Sequence, residues 1–248
     1  MVDVTPNLAP LCRMAPLPLH RGPVARLGGA ALAGAVAVPV VALALVGPVP
    51  LALGLAGIGY LGAAALVLAM MRRGYPHDGP GLCNLVTLAR LALTAALLAP
   101  LLAPASGWAV LALALLALSL DGVDGWLARH EGRVSAFGAR FDLEVDAALG
   151  LILALNAVAS GSAGLAVLAL GLPRYAFVAS AWAWPWMARP LPERFGRKAA
   201  CVVQIAALTV LQAPVVEGAP AAALVAVAAA ALGWSFGRDV LWLWRARG

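Results

Sequence analysis

An all-α fold, a polytopic bundle of transmembrane helices, follows from three features of the sequence. Of the 248 residues, 63% are hydrophobic and only 11% charged, with a mean hydropathy of +0.94. A soluble domain carries roughly a quarter charged residues, so this apolar surplus exceeds what one globular core can bury and calls for the bilayer as solvent. Second, the apolar residues gather into eight stretches near spanning length. Third, of the connections between those stretches only alternate ones carry Lys or Arg.

Taken in order, residues 1–24 hold Pro6, Pro10, Pro16, Pro18 and Pro23 and no sustained apolar run. They read as a flexible tail rather than a cleavable signal peptide. A spanning helix needs about 20 apolar residues. Segments 27–46 and 51–71 meet that length and make an N-terminal pair within residues 25–80. The polar Gly- and Pro-containing stretch 72–80 closes the pair and reads as a boundary. Segments 85–103 and 108–120 follow, the second able to run on through Arg129 beyond the membrane plane. Segments 143–160, 165–187, 199–211 and 221–241 complete the set, the seventh being short unless it starts at Arg197-Lys198. Ala and Gly are abundant throughout, and small residues let helices approach closely where lipid gives no hydrophobic drive to associate.

Connections 47–50, 104–107, 161–164 and 213–220 contain no Lys or Arg. The alternate ones carry Arg72 and Arg73, then Arg129, Arg133 and Arg140, then Arg189, Arg194, Arg197 and Lys198. Arg13, Arg21 and Arg26 precede the first helix, and Arg245 and Arg247 end the chain. By the positive-inside rule this predicts eight helices with both termini in the cytoplasm, in a membrane we expect to be the bacterial cytoplasmic one. The same rule accounts for the net charge of +6 and removes the need for nucleic acid or another polyanion as partner. Cys12, Cys83 and Cys201 are scattered and odd in number, which suggests neither a disulfide framework nor a thiolate metal site.

Four of the seven aspartates lie between residues 121 and 146. Asp121 and Asp124 are three apart and Asp142 and Asp146 four apart, so each pair shares one helix face. The polar stretch between Arg129 and Arg140 can return the chain so that the pairs face each other near the basic side. His130 and Glu131 within it read as solvated loop residues, and Trp126 as a packing or interfacial aromatic. An ionised Asp in a spanning helix costs about 2.5–3.5 kcal/mol on insertion, and four together repel. Cations are the simplest compensation, and an all-oxygen donor set selects hard ions such as Mg²⁺ or Mn²⁺, two of which could clamp a diphosphate. A divalent-cation transporter would instead spread its acids through several helices at mid-depth. Asn84, Thr87 and Arg90 share a second helical face, where they either line a pocket or bond between helices. Arg174, after Pro173 inside the sixth segment, is a charge whose placement marks a function, a buried pair or snorkelling.

The run Asp121-x-x-Asp124-Gly125-x-x-Ala128-Arg129, eight residues, Gly138-x-x-x-Asp142-x-x-x-Asp146 resembles the signature of the CDP-alcohol phosphatidyltransferase family at every specified position. Asn84-x-x-Thr87-x-x-Arg90 is similar to a second, weaker element of that family, with Cys83 where a proline often stands. The resemblance implies a six-helix core in residues 81–248, with the first two helices as an extra pair. It implies transfer of a phospho-group from a CDP-linked donor to an alcohol with release of CMP. The donor would be CDP-diacylglycerol and the acceptor a small alcohol, phosphorylated or not. A soluble CDP-alcohol donor with a lipid acceptor, or a scaffold that has lost catalysis, are the alternatives. Divalent Mg²⁺ or Mn²⁺ would be held by Asp121, Asp124, Asp142 and Asp146, with Asp146 also the base toward the acceptor hydroxyl. Gly125, Ala128, Arg129 and Gly138 would contact the nucleotide, Asn84, Thr87 and Arg90 would line its pocket, and Arg174 would hold a lipid or acceptor phosphate. Basic residues 189–198 are a second candidate for that phosphate. Family resemblance also implies a homodimer surrounded by membrane lipids.

Overall fold

The structure, a computed structural model, describes residues 21–188 and 195–245. The tail at 1–20, Arg189 and Arg194 lie outside the described residues, as does the side chain of Lys198. Nine α-helices and no strand are found among the described residues: α1 (Arg21–Val46), α2 (Pro50–Arg72), α3 (Gly81–Ala96), α4 (Gly107–His130), α5 (Ala136–Ala159), α6 (Leu168–Gly171), α7 (Pro173–Ala183), α8 (Phe195–Val210) and α9 (Gly218–Arg245).

Five helices are long and apolar enough to cross a membrane: Gly22–Val46, Pro50–Arg72, Gly81–Leu101, Gly107–His130 and Gly218–Arg245. That is the pattern of an integral membrane protein. Three of the eight expected spans fall outside that set, the seventh being short as its sequence suggests. The sixth segment is a broken one: a short 3₁₀ turn at Leu165–Val167 and α6 meet α7 at an angle of 66°. Pro173 explains the break, since it has no N–H to give the preceding turn and starts a new helix as its first residue. Helix α5 is 24 residues long, yet Asp142, Glu144 and Asp146 keep its first half from reading as apolar. In α8 the apolar part, Ala199–Val210, is shorter than a hydrocarbon core.

Helix α3 is the centre of the bundle. Of its apolar stretch 61% is buried, against 17–28% for the other four spans. One core gathers α1 and α2 onto α3 and α5 through Leu27, Ala56, Tyr60, Leu88, Leu91 and Phe141. A second joins α4, α5, α6, α8 and α9 through Ala114, Leu149, Leu153, Leu170, Leu208 and Leu232. Small residues make the close approaches. Tyr60 of α2 is fully buried, donates to Ala31 O at 3.2 Å, and lies over Gly34 of α1, where a Cβ would come within 2.0 Å of the phenol oxygen. Large apolar side chains such as Leu32, Ile58, Trp182 and Trp234 cover the outside, as a lipid-facing surface requires.

Candidate active site

Helix α4 ends at His130, and Gly132 takes a positive φ of 62° that residues with a Cβ rarely adopt. Ser135 then caps α5, its side chain accepting from Gly138 N at 3.0 Å. This tight return brings Asp121 and Asp124 at one end of α4 back toward Asp142 and Asp146 at the start of α5. Helix α3 packs against both and sends Arg90 between the two acidic pairs.

The guanidinium of Arg90 has no exposed surface, and each of its three nitrogens donates a hydrogen bond. Nε donates to Ala117 O at 3.2 Å. Nη1 donates to Asp124 Oδ2 at 2.8 Å and to Asp142 Oδ1, and Nη2 lies 2.8 Å from Asp121 Oδ1 and donates to Asp146 Oδ1. An arginine has five N–H groups in a planar fork, and here four hydrogen bonds and a further ion pair to Asp121 surround it with oxygens. The four carboxylates are not equivalent. Asp124 is 4% exposed and takes a second bond from Thr87 Oγ1 at 2.9 Å. The side chains of Asp121, Asp142 and Asp146 are 43, 40 and 44% exposed.

Counted as formal charges, one guanidinium among four carboxylates leaves the cluster at −3. Asp121, Asp142 and Asp146 each offer an oxygen, all within 4.8 Å of one another, so these three could hold a metal ion. The donor chemistry suits it: three partly solvated carboxylates, no thiolate and no imidazole, which is the ligand set of a hard divalent cation. Asp124, turned inward to Thr87 and Arg90, stands behind that group.

The remaining sequence-derived residues fall into two sets. Asn84 is 2% exposed and donates to Tyr75 Oη at 3.1 Å and Pro80 O at 2.6 Å, so it ties α3 to the connection from α2. Gly138 faces it: a Cβ there would lie 3.4 Å from Asn84 Oδ1 and 3.2 Å from Ser135 Oγ. Thr87 and Arg90 face the aspartates rather than open space. Around Gly125, by contrast, a Cβ would meet only the flexible Arg129 Nη1, at 3.6 Å, and Ala128 beside it is half-buried. Arg129 is exposed. Arg174, at the first turn of α7, is ion-paired with Glu144 of α5. In the basic stretch, Arg197 pairs with Asp239 of α9 at 2.9 Å.

Several residues here escaped the sequence reading. Glu131, expected to be a solvated loop residue, instead accepts from Leu82 N at 3.1 and 3.3 Å and caps the start of α3. An acid beside a helix N-terminus is favourable, but the N–H it accepts from lies 49 residues away in sequence, so no local pattern reveals it. Tyr75 donates to Pro80 O at 2.9 Å and packs edge-on against Phe137 of α5. Burial pushes its phenol above the usual tyrosine range. Glu144 and Asp239 carried the one available signal, an acid inside an otherwise apolar helix.

A helical membrane protein whose central helix drives an arginine into a cluster of aspartates is the class that fold and site define. The family model for CDP-alcohol phosphatidyltransferase matches residues 81–236, more than half the chain, and the protein belongs to that family. The match begins at the first residue of α3 and takes in every helix that contributes to the site. Neither a curated protein nor a solved structure matches the chain.

Proposed function

We propose that this member of the family transfers a phosphatidyl group from CDP-diacylglycerol to a small alcohol, releasing CMP, at the basic, cytoplasmic side of the membrane. The observation that carries the proposal is the convergence of Asp121, Asp142 and Asp146 beside a surface left open at Gly125. A lipid donor suits a site built on membrane helices, since its acyl chains can stay in the bilayer while the nucleotide reaches the helix ends.

In the reaction the acceptor hydroxyl oxygen attacks the phosphorus that carries the diacylglycerol. The bond from that phosphorus to the bridging oxygen of CMP breaks, and CMP leaves with the electron pair. Asp146 receives the hydroxyl proton on Oδ2, the oxygen not bonded to Arg90. Asp121, Asp142 and Asp146, with Asp124 behind them, are the residues that would hold Mg²⁺ or Mn²⁺. Such ions supply charge neutralisation at the diphosphate and at the departing oxygen. Gly125 and Ala128 leave room for the nucleotide to lie along α4, and Arg129 can fork onto its phosphates. Arg174, on a half-exposed pair with Glu144, is the candidate for a phosphate on the acceptor. Asn84 serves by tying α3 to the connection from α2, and Gly138 by letting α5 pass close to it.

The test is CMP release by purified protein in detergent, with CDP-diacylglycerol, Mg²⁺ or Mn²⁺, and alcohols added singly. Metal-dependent release with one alcohol, lost in Asp142→Asn, supports the proposal and names the acceptor. Release only with a soluble CDP-alcohol and a lipid acceptor would reverse donor and acceptor. No release with either donor, from folded protein, would sink the catalytic reading.

A further inference from the structure

Arg90 is more than a wall of the site. It lies in the bundle centre with no exposed surface, so it cannot touch a nucleotide. Yet it meets all four aspartates of the signature, using one oxygen of each: Oδ1 of Asp121, Asp142 and Asp146, and Oδ2 of Asp124. Three of those four carboxylates are the group that could hold a metal. A buried guanidinium with four hydrogen bonds and four acidic partners is a fixed counter-ion, not a mobile ligand for substrate.

We propose that Arg90 is the resident cation of the acidic cluster: it keeps the bundle folded without metal and sets the metal affinity by competing for the same carboxylates. The inference rests on the metal-assisted transfer proposed above. Its physical basis is charge. With Arg90 in place the cluster stands at −3; without it, at −4. Four carboxylates facing one volume repel, and a divalent ion relieves more repulsion when no guanidinium shares them. Arg90 is therefore a positioning residue that makes the site less demanding of metal. The ordinary substrate-pocket role would predict no such linkage.

The experiment compares wild type with Arg90→Met, each purified in Mn²⁺, stripped with EDTA and re-titrated. Thermal unfolding is followed with and without metal, and Mn²⁺ binding is read by electron paramagnetic resonance. Wild type should stay folded in EDTA. Arg90→Met should lose far more Tm in EDTA than in saturating Mn²⁺, and should bind Mn²⁺ at least about tenfold more tightly, since a ligand of the folded state stabilises it by the logarithm of its concentration over Kd. Should Arg90→Met not survive stripping, Arg90→Lys retains the charge with fewer donors. It should bind Mn²⁺ with an affinity close to wild type. An equal Tm loss with and without metal, or weaker Mn²⁺ binding in Arg90→Met, overturns the proposal and leaves Arg90 a packing element. If wild type binds Mn²⁺ and Asp142→Asn abolishes it, the metal site stands whatever Arg90 does. If wild type binds none, the metal reading falls and this inference falls with it.

Discussion

Thr87→Val separates a structural hydroxyl from a substrate-binding one. Thr87 is 4% exposed, and its Oγ1 lies 2.9 Å from Asp124 Oδ2 and 3.0 Å from Cys83 O. Valine keeps the shape and removes only the donor. A hydrogen bond to a charged group contributes about 1.5–3 kcal/mol, and Asp124 is buried too deeply for water to replace it. Asp124 does keep Arg90 Nη1 at 2.8 Å, which argues for the lower half of that range. A loss of about 2 kcal/mol corresponds to about a thirtyfold fall in the folding equilibrium. Denaturant unfolding in detergent reads this, with Thr87→Ser, which restores the hydroxyl, recovering most of it. Because Thr87 has almost no surface, KM for the CDP-linked donor should stay within about twofold. A raised KM in a variant of unchanged stability would refute the reasoning and return Thr87 to the nucleotide pocket.

Gly34→Ala places a methyl 2.0 Å from the Tyr60 phenol oxygen, and should destabilise the α1–α2 pair by about 1–3 kcal/mol in denaturant unfolding. Adding Tyr60→Phe should recover part of that loss, whereas a purely conformational effect at residue 34 would leave it unchanged. For Arg174 and Glu144, side chains 30 and 41% exposed, a double-mutant cycle with Arg174→Gln and Glu144→Gln should give a coupling of no more than about 1 kcal/mol in stability. A phosphorylated acceptor should then show a raised KM in Arg174→Gln, while an uncharged one should not. Tyr75 binds its proton more tightly folded than unfolded, so its contribution is present below its unfolded value of about 10 and is lost as pH rises through its raised folded value. Tyr75→Phe should flatten the loss of Tm between neutral and alkaline pH relative to wild type, and an unchanged slope would mean Tyr75 carries none of it.

The sequence made the membrane class and the acidic pairs visible because both are local patterns: apolar runs of spanning length, and acids three or four apart. It also placed Thr87 and Arg90 on one face. It left open whether that face met substrate or another helix, since helical spacing gives direction along one element and says nothing of what stands opposite. The position of α3 between α4 and α5 decides that question, and the contacts span 27 to 56 residues of sequence. The broken sixth segment was hidden for a different reason. Pro173 marks a break, but an apolar run on both sides reads the same whether the helix continues straight or turns by 66°. Glu131 was misjudged because an acid in a polar turn is ordinary until the N-terminus it caps is seen.

Burial of α3 and the half-exposure of the aspartates belong to one arrangement. A bilayer-embedded bundle gains little from bringing apolar helices together, so packing at its centre depends on small residues and satisfied polar groups. In α3 the polar groups are stacked on one face at intervals of three: Asn84 to the α2 connection, Thr87 to α4, Arg90 to α4 and α5. Between them these bonds pin α3 to the α2 connection, to α4 and to α5, which fixes its rotation as well as its position. The side of the cluster toward α3 is thereby closed by a guanidinium and a hydroxyl, and charge can be approached only from the side where Asp121, Asp142 and Asp146 keep surface. The Asn84–Thr87–Arg90 face therefore makes the acidic cluster one-sided. Under the proposed transfer from CDP-diacylglycerol, that directionality would bring donor and acceptor to the acids from one side.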